Sequence, residues 1–314
     1  MFHYKVYDIE IASEIEMPSA YVSDGSRDPQ IIIRVKKMDD ILELCKKTKK
    51  TADEENGKDN EEVDLTKKDD EIIYLPGFAL FRICGGKEIF FHEIEKTDKY
   101  QVEQWLLNRC ITCALTQRGE IIIHCSGLDK DGELALLSGE SGSGKSTLAD
   151  KLLERKEYKF ASDDTVRIEI RDGKLIGYGA YPLRRLCLDA VERNGYDKES
   201  VIRIDDGERE KYGVSMKDVF TCEGRSVNSL FILNPSDEAD AVRVDEITGS
   251  YKLEALTDCI YNYTYYKKNG LNKDMFFKMV LIANNLRIYR VSRPVKGMTV
   301  NEVAENVNKI FVKN

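Results

Sequence analysis

The chain has 314 residues, 42% of them hydrophobic and 33% charged, with a formal net charge of −8; this is the balance of a soluble globular protein of about two domains. The acidic excess argues against a nucleic-acid partner, because phosphate backbones are held by clustered lysine and arginine, and no apolar run approaches the roughly 20 residues that span a bilayer. The eight cysteines are scattered through apolar segments, which suits reduced thiols, and the acidic, strand-like start lacks the basic flank and apolar core of a signal peptide; both point to the cytoplasm.

Short strands dominate before residue 118. Residues 4–11, 30–35, 71–75, 78–83 and 87–94 are β-branched or aromatic runs punctuated by glycine, proline and charge. Residues 38–47 have the spacing of one amphipathic helix and residues 101–117 that of another. The expectation is a small β-rich N-terminal domain over 1–117 and a catalytic domain over 118–314. Residues 46–71 mix both charge signs with almost no apolar residues, which reads as a solvated, mobile insertion without bearing on catalysis.

From residue 120 the rhythm changes. Residues 120–125 (EIIIHC), 133–138 (ELALLS) and 158–162 (YKFAS) are apolar strands, with a helix between the last two. Strand, glycine turn, helix, strand is a βαβ unit, and it predicts an α/β domain built on a parallel or mixed sheet. Further strands are expected at 167–170, 229–233, 241–247 and 287–292, and helices at 251–263, 274–285 and 300–311.

The turn inside that unit is Gly139-Glu140-Ser141-Gly142-Ser143-Gly144-Lys145-Ser146, followed by Thr147, and it matches GxxxxGK[ST] at every fixed position. Glycines let such a loop take positive φ and bring its amides to an anion, while the following helix aims its positive end at the same place. Lys145 would span the β- and γ-phosphates and the Ser146 hydroxyl would be a Mg²⁺ ligand. No third glycine follows Gly142 and Gly144 at the spacing of a dinucleotide fingerprint. The turn reads as a cradle for a nucleotide triphosphate such as ATP.

Asp163 and Asp164 close the YKFASDD segment, Asp163 lying 18 residues after Lys145. One helix and a short return would put them at the carboxyl end of a neighbouring strand, where open α/β sheets bind ligands. One carboxylate can hold Mg²⁺ and the other can take a proton from an incoming hydroxyl. His124 ends its strand fifteen residues before Gly139; it faces the phosphates if that strand pairs beside the loop strand, and is otherwise a packed core histidine.

His124, then GESGSGKS, then Ser162-Asp163-Asp164 in this order resemble the HPr kinase/phosphorylase group, which shares its P-loop core with the ATP-dependent phosphoenolpyruvate carboxykinases. LTQRGEIIIHCSGL (115–128) and PGFALFRICGGKEIFF (76–91) resemble segments of HPr-kinase-related proteins. The resemblance covers roughly residues 75–182. It implies a P-loop, mixed-sheet catalytic domain and ATP-dependent, Mg²⁺-requiring phosphoryl transfer to a hydroxyl, usually of serine, on a peptide or small protein. Carried over by position, Lys145 grips the phosphates together with Gly139, Ser141, Gly142, Ser143, Gly144 and Thr147. Ser146 binds Mg²⁺, Asp164 accepts the proton, His124 supports it, and Asp163 is the metal-side carboxylate. The related kinases assemble into homo-oligomers, although no interface is legible in this chain.

The sequence departs from that group after the aspartate pair. The signature with a Mg²⁺-binding glutamate is absent, and Asp189 is a weak substitute, so the reverse phosphorylase reaction and the phosphocarrier substrate lose support. Arg184 and Arg185 either reach the transferred phosphate or form a solvated helix face. Arg209 and Lys211 are further basic residues of the same region. Cys110 and Cys113 form a CxxC without a second pair and read as core, as does Trp105; the tyrosine-rich 261–268 reads as packing with one wet edge rather than a peptide-recognition surface. The alternatives to a peptide kinase are a kinase of a small metabolite such as free serine, and a non-catalytic nucleotide-binding module. A phosphoenolpyruvate carboxykinase is disfavoured by chain length and by only three histidines.

Overall fold

The computed structural model describes residues 1–56, 69–197, 199–205, 210–263, 265–266, 270–271 and 273–312. The chain divides into two compact units, Met1–Gly119 and Glu120–Asn314. Of the segment 46–71, expected as a mobile insertion, residues 57–68 lie outside the described residues, as does Arg209, whereas residues 46–56 continue the helix expected over 38–47 as far as Asn56 and residues 70–71 open a strand.

The first unit holds β1 (Phe2–Val6), β2 (Ile9–Ser13), β3 (Tyr21–Val22), β4 (Ile31–Val35), α1 (Asp39–Asn56), β5 (Asp70–Leu75), β6 (Ala79–Cys84), β7 (Glu88–Glu93), α2 (Lys99–Gln104) and α3 (Ile111–Gln117). Its strands form one seven-stranded sheet in the order β3-β1-β2-β4-β7-β6-β5. Residues 4–11, expected as one strand, are a hairpin. Tyr7 and Asp8 both take positive φ, 55° and 62°, the conformation that two-residue hairpin turns require. The helix expected over 101–117 starts at Lys99 and carries a π-helical stretch, Trp105–Cys110, between α2 and α3. Cys110 and Cys113 on it are buried, and burial pushes the Cys113 thiol up. His92 is buried too, its Nδ1 accepting the Met38 amide at 2.7 Å.

The second unit holds β8 (Ile121–His124), β9 (Ser126–Lys130), β10 (Glu133–Gly139), α4 (Lys145–Leu153), β11 (Lys159–Ser162), β12 (Thr165–Arg171), β13 (Lys174–Gly179), β14 (Leu183–Leu186), α5 (Leu188–Arg193), β15 (Ile202–Asp205), β16 (Glu210–Ser215), β17 (Arg225–Ser236), β18 (Arg243–Ile247), α6 (Tyr251–Asp258), α7 (Lys273–Asn285), β19 (Arg287–Pro294) and α8 (Val300–Val312). The main sheet is mixed. It runs β11-β9-β10-β17-β13-β12-β8, and β19 pairs with both β17 and β18. Parallel pairing joins β10 to β17 and β17 to β19.

The middle stretches of β10 and β17, residues 134–137 and 230–233, are continuous apolar runs because both faces of the sheet are covered there. On β10, Leu134 and Leu136 join a core with α6 and α7, whereas Ala135 and Leu137 join another with α4 and α8. β17 alternates in the same way, with Leu230 facing one core and Phe231 the other. A small three-stranded sheet, β14-β16-β15, packs its own core against Phe160. Among the described residues no helix is long and apolar enough to cross a membrane.

Two pairings differ from the sequence expectation and decide how the site is built. β11 does not neighbour β10, because β9 lies between them, antiparallel to both. β8 does not pair with β10 either; it sits at the far edge against β12. The hairpin β9–β10 turns on Asp131-Gly132, both at positive φ, and takes the position next to β10 that the simple βαβ reading gave to β11. The short β9, with Gly127 and Asp129 inside it, lacks the apolar run that marked its neighbours.

Candidate active site

The cradle forms where β10 ends. Gly139 has φ 138°, and a Cβ there would stand 2.6 Å from the Leu233 carbonyl oxygen on β17, so only glycine fits. Gly144 caps α4 in the left-handed region, φ 102°, and no side chain caps the helix. The first-turn amides are therefore left to an incoming anion. Arg293, at the end of β19, donates to the Ser143 carbonyl at 2.9 Å and fixes the loop from its open side; no local motif announced it. The Ser143 hydroxyl is buried without a hydrogen-bond partner. Lys145 Nζ donates to the Gly139 and Glu140 carbonyls at 2.6 and 3.3 Å. Burial pulls its pKa down, against the attraction of Asp164 and Asp163. Ser146 is exposed and Thr147 half-buried at the mouth of the loop.

Two chain corners meet beside this cradle. β8 and β9 are separated only by Cys125, and β11 and β12 only by Asp163 and Asp164. The two segments run antiparallel with Ser162 opposite Gly127 and Thr165 opposite His124. At the break the Cys125 amide donates to the Asp164 carbonyl at 3.0 Å, and Ser126 Oγ donates to the Asp163 carbonyl at 2.9 Å. Ser138, one residue before Gly139, donates its hydroxyl to the His124 carbonyl at 2.7 Å. His124 thus reaches the loop through a kink in its own chain, not by pairing of β8 with β10.

The Asp164 carboxylate lies between His124 Nε2, 3.4 Å from Oδ1, and Arg185 Nη2, 3.1 Å from Oδ2. Burial raises its pKa, but the His124 hydrogen bond and the Arg185 charge outweigh that, and the group is held well below the ordinary carboxylate range. With 31% of its side chain exposed, it remains open to a ligand. Asp163 accepts the Arg185 amide at 3.1 Å through Oδ2. Its Oδ1 lies 3.8 Å from Arg184 Nε and is buried without a hydrogen-bond partner.

Arg184 and Arg185 do not form a solvated helix face. They lie on β14, and Arg184 is only 1% exposed. Its guanidinium pairs with Asp150 on α4 and donates to the Ser146 carbonyl at 3.3 Å. It ties the first turns of the loop helix to the aspartate corner. A solvated helix was a natural expectation because LRRLCL has no strict alternation; pairing with β16 decides the matter.

Asp189 is exposed on α5, 3.7 Å from Arg193, away from the aspartate pair. Lys211 lies on β16 and adds to the positive field that holds Asp164 ionised. The helix expected over 251–263 ends at Asp258, because β8 captures the following backbone. His124 N–H donates to the Cys259 carbonyl and Tyr261 N–H to the Ile122 carbonyl, at 2.7 and 2.8 Å. Tyr261 meets the His124 ring edge-on at 6.2 Å, and Tyr266 is buried with its hydroxyl on the Glu120 carbonyl. Residues 264, 267 and 268 of the tyrosine-rich stretch lie outside the described residues.

Among the described residues no group of three His, Cys, Asp or Glu could hold an ion alone. A Mg²⁺ carried mainly by nucleotide phosphates and water needs no such group. Asp163, whose Oδ1 makes no hydrogen bond, and the exposed Ser146 fit that mode.

No protein-family profile matches the chain, and no curated protein matches it in sequence. Among solved structures it is similar to the Hpr(Ser) kinase/phosphatase from Coxiella burnetii, at 14% identity and a TM-score of 0.33, over 61% of this chain and 91% of that one. That is a distant structural likeness, too slight to carry an argument about activity.

Proposed function

We propose that the unit Glu120–Asn314 is an ATP- and Mg²⁺-dependent kinase that transfers the γ-phosphoryl group to a hydroxyl, that of serine on a peptide or small protein, as in the HPr kinase-like group its motifs resemble. The observation that carries this reading is the Asp164 carboxylate, open to ligand and clamped by His124 and Arg185 at a corner hydrogen-bonded to the cradle strand.

In this reading the loop amides and Lys145 hold the β- and γ-phosphates. Mg²⁺, held by Ser146 and the Asp163 side chain, supplies charge neutralisation on the phosphate oxygens. Asp164 accepts a hydrogen bond from the acceptor hydroxyl and aligns its oxygen with the γ-phosphorus. As the new O–P bond forms and the bond to the ADP oxygen breaks, the hydroxyl proton passes to Asp164. A carboxylate held this far below neutrality is a weak base, but phosphoryl transfer through a loose transition state asks mainly for alignment and charge. His124 and Arg185 supply that alignment by fixing both carboxylate oxygens. Arg184 acts as scaffold through Asp150 and Ser146.

The test is incubation with γ-labelled ATP and a panel of free serine, serine peptides and small proteins. Label on a peptide serine supports the reading. Label on free serine alone would turn it into a metabolite kinase, and no label with tight MgATP binding would leave a nucleotide-binding module.

A further inference from the structure

We infer that the nucleoside half of the nucleotide lies in the cleft between the cradle and α6, its base stacked on the Tyr251 ring, and that the acceptor hydroxyl approaches Asp164 from the opposite side, that of β14. This deepens the proposed kinase reading and rests on it for the presence of a triphosphate in the loop.

A cleft of about 1100 Å³ opens beside the cradle, lined at one end by the loop from Gly139 to Ser143. It matches the upper range of small-molecule pockets, roughly 1,000 Å³, and so holds more than a chain of phosphates. Its other walls lie on one flank of the loop strand. β10 has β9 and then β11 on one side, and β17, then β19 and β18, on the other. The aspartate corner follows β11. The cleft is lined instead by Ile232 and Pro235 of β17, Arg290 of β19 and Ile247 of β18. Among the described residues Asp163, Asp164, Arg184 and Arg185 take no part in it, and His124 stands where cleft and corner meet.

The two flanks give a bound triphosphate its direction. With the phosphates on the loop amides and the γ end toward Asp164, the rest of the nucleotide runs along the β17 flank. Three strand spacings separate β10 from β18, about 14 Å at about 4.8 Å each, which leaves space for ribose and base beyond the phosphates. The acceptor then has the other flank, where Arg185 of β14 holds Asp164 at 3.1 Å.

The chemistry of the cleft suits the uncharged part of a nucleotide. Ile232, Ile247 and Ala255 pack on one buried core and present their remaining surface to the cleft. Tyr251 opens α6 four residues after Ile247, shares a helical face with Ala255, and is 71% exposed. A flat base covers such a ring, because stacking needs only a π-face. Glu254 and Asp258 line the α6 side as well. Carboxylates there repel a further phosphate and accept hydrogen bonds from ribose hydroxyls.

The experiment titrates the full chain with MgATP and with magnesium tripolyphosphate by calorimetry. MgATP should bind at least tenfold more tightly, the excess coming from the nucleoside. Tyr251→Ala should weaken MgATP about fivefold or more, the usual weight of one base–aromatic stack. Ala255→Trp fills the cleft floor and should weaken it at least tenfold. Both variants should bind tripolyphosphate within twofold of the unaltered protein. Phe277→Ala removes a ring that is 61% exposed on α7, outside the cleft, and should change neither affinity. If Ala255→Trp does not fold, as judged by circular dichroism, Tyr251→Ala decides, since its side chain is mostly in solvent. Tripolyphosphate binding as tightly as MgATP overturns the inference and leaves the cradle. So does MgATP affinity within twofold of normal in either folded variant, or an equal loss of both ligands or in the control. The expected pattern in a protein that transfers no phosphate would sink the kinase reading alone, and binding of neither ligand would overturn both.

Discussion

In the proposed reaction Asp164 would do two things that pull in opposite directions: stay ionised to orient a hydroxyl, and be basic enough to receive a proton. His124 and Arg185 tilt the balance toward ionisation, which suits a reaction limited by alignment. Asp164→Asn should lower phosphoryl transfer by about 10²–10⁴-fold, the usual weight of a positioned acid–base group, while MgATP still binds. Calorimetric titration with MgATP beside a turnover assay checks this, and loss of nucleotide binding in the variant would show a structural fault instead. The same depression links Asp164 to stability. The folded state holds its proton less readily than the unfolded chain, whose carboxylate titrates near 3.8. The contribution is therefore fully present above that value and fades as pH falls below it toward the depressed folded pKa. Arg185→Ala removes one cause of the depression and should move the acid-unfolding midpoint to higher pH, read by circular dichroism.

At the scale of elements, the cradle depends on two contacts that reach it from other strands. A methyl group at Gly139 would collide with the Leu233 carbonyl and sit at φ 138°. Gly139→Ala should cost about 1–3 kcal/mol and misplace the loop, seen as a lower urea midpoint and weakened MgATP binding. Arg184 is the buried charge that locks α4 to the aspartate corner. Removing one partner of such a pair typically costs about 3–5 kcal/mol, because the other charge is left uncompensated. Arg184→Met should be destabilised by that amount in urea unfolding, and Arg184→Met with Asp150→Leu should recover part of it. The π-helical stretch between α2 and α3 keeps Leu106, Leu107 and Cys110 buried.

At the scale of the whole molecule, each unit has its own buried core, with Ile31, Ile33, Ile73, Leu80 and Phe81 in the first and the two sheet faces of the second. Replacing residues 57–68 by a short Gly-Ser linker should leave MgATP binding intact, since the segment has only two aliphatic residues, Val63 and Leu65, to contribute to a core. Binding should instead appear as slowed hydrogen exchange at the cradle amides and at the His124–Ser126 corner, measured by mass spectrometry with and without MgATP.

The GESGSGKS cradle, the strand before it and the helix after it were legible because all their determinants are contiguous. The glycine positions, the apolar run into Gly139 and the amphipathic start of α4 are local properties that no distant partner has to supply. The two aspartates and His124 could be nominated for the same reason, by residue type and by distance along the chain. What brings them together was not legible. An apolar run such as EIIIHC reads the same whether it pairs with β10 or with β12, and strand order is fixed by hydrogen bonds and packing between segments far apart in sequence. Folding placed β9 beside the cradle, sent β8 to the opposite edge and buried Arg184 under the loop helix. It also stopped α6 at Asp258, leaving two acids along the cleft. The sequence by itself determined the glycine turn and the helix that follows it, because their determinants are local; only long-range strand pairing decided which carboxylate, imidazole and guanidinium stand beside that turn.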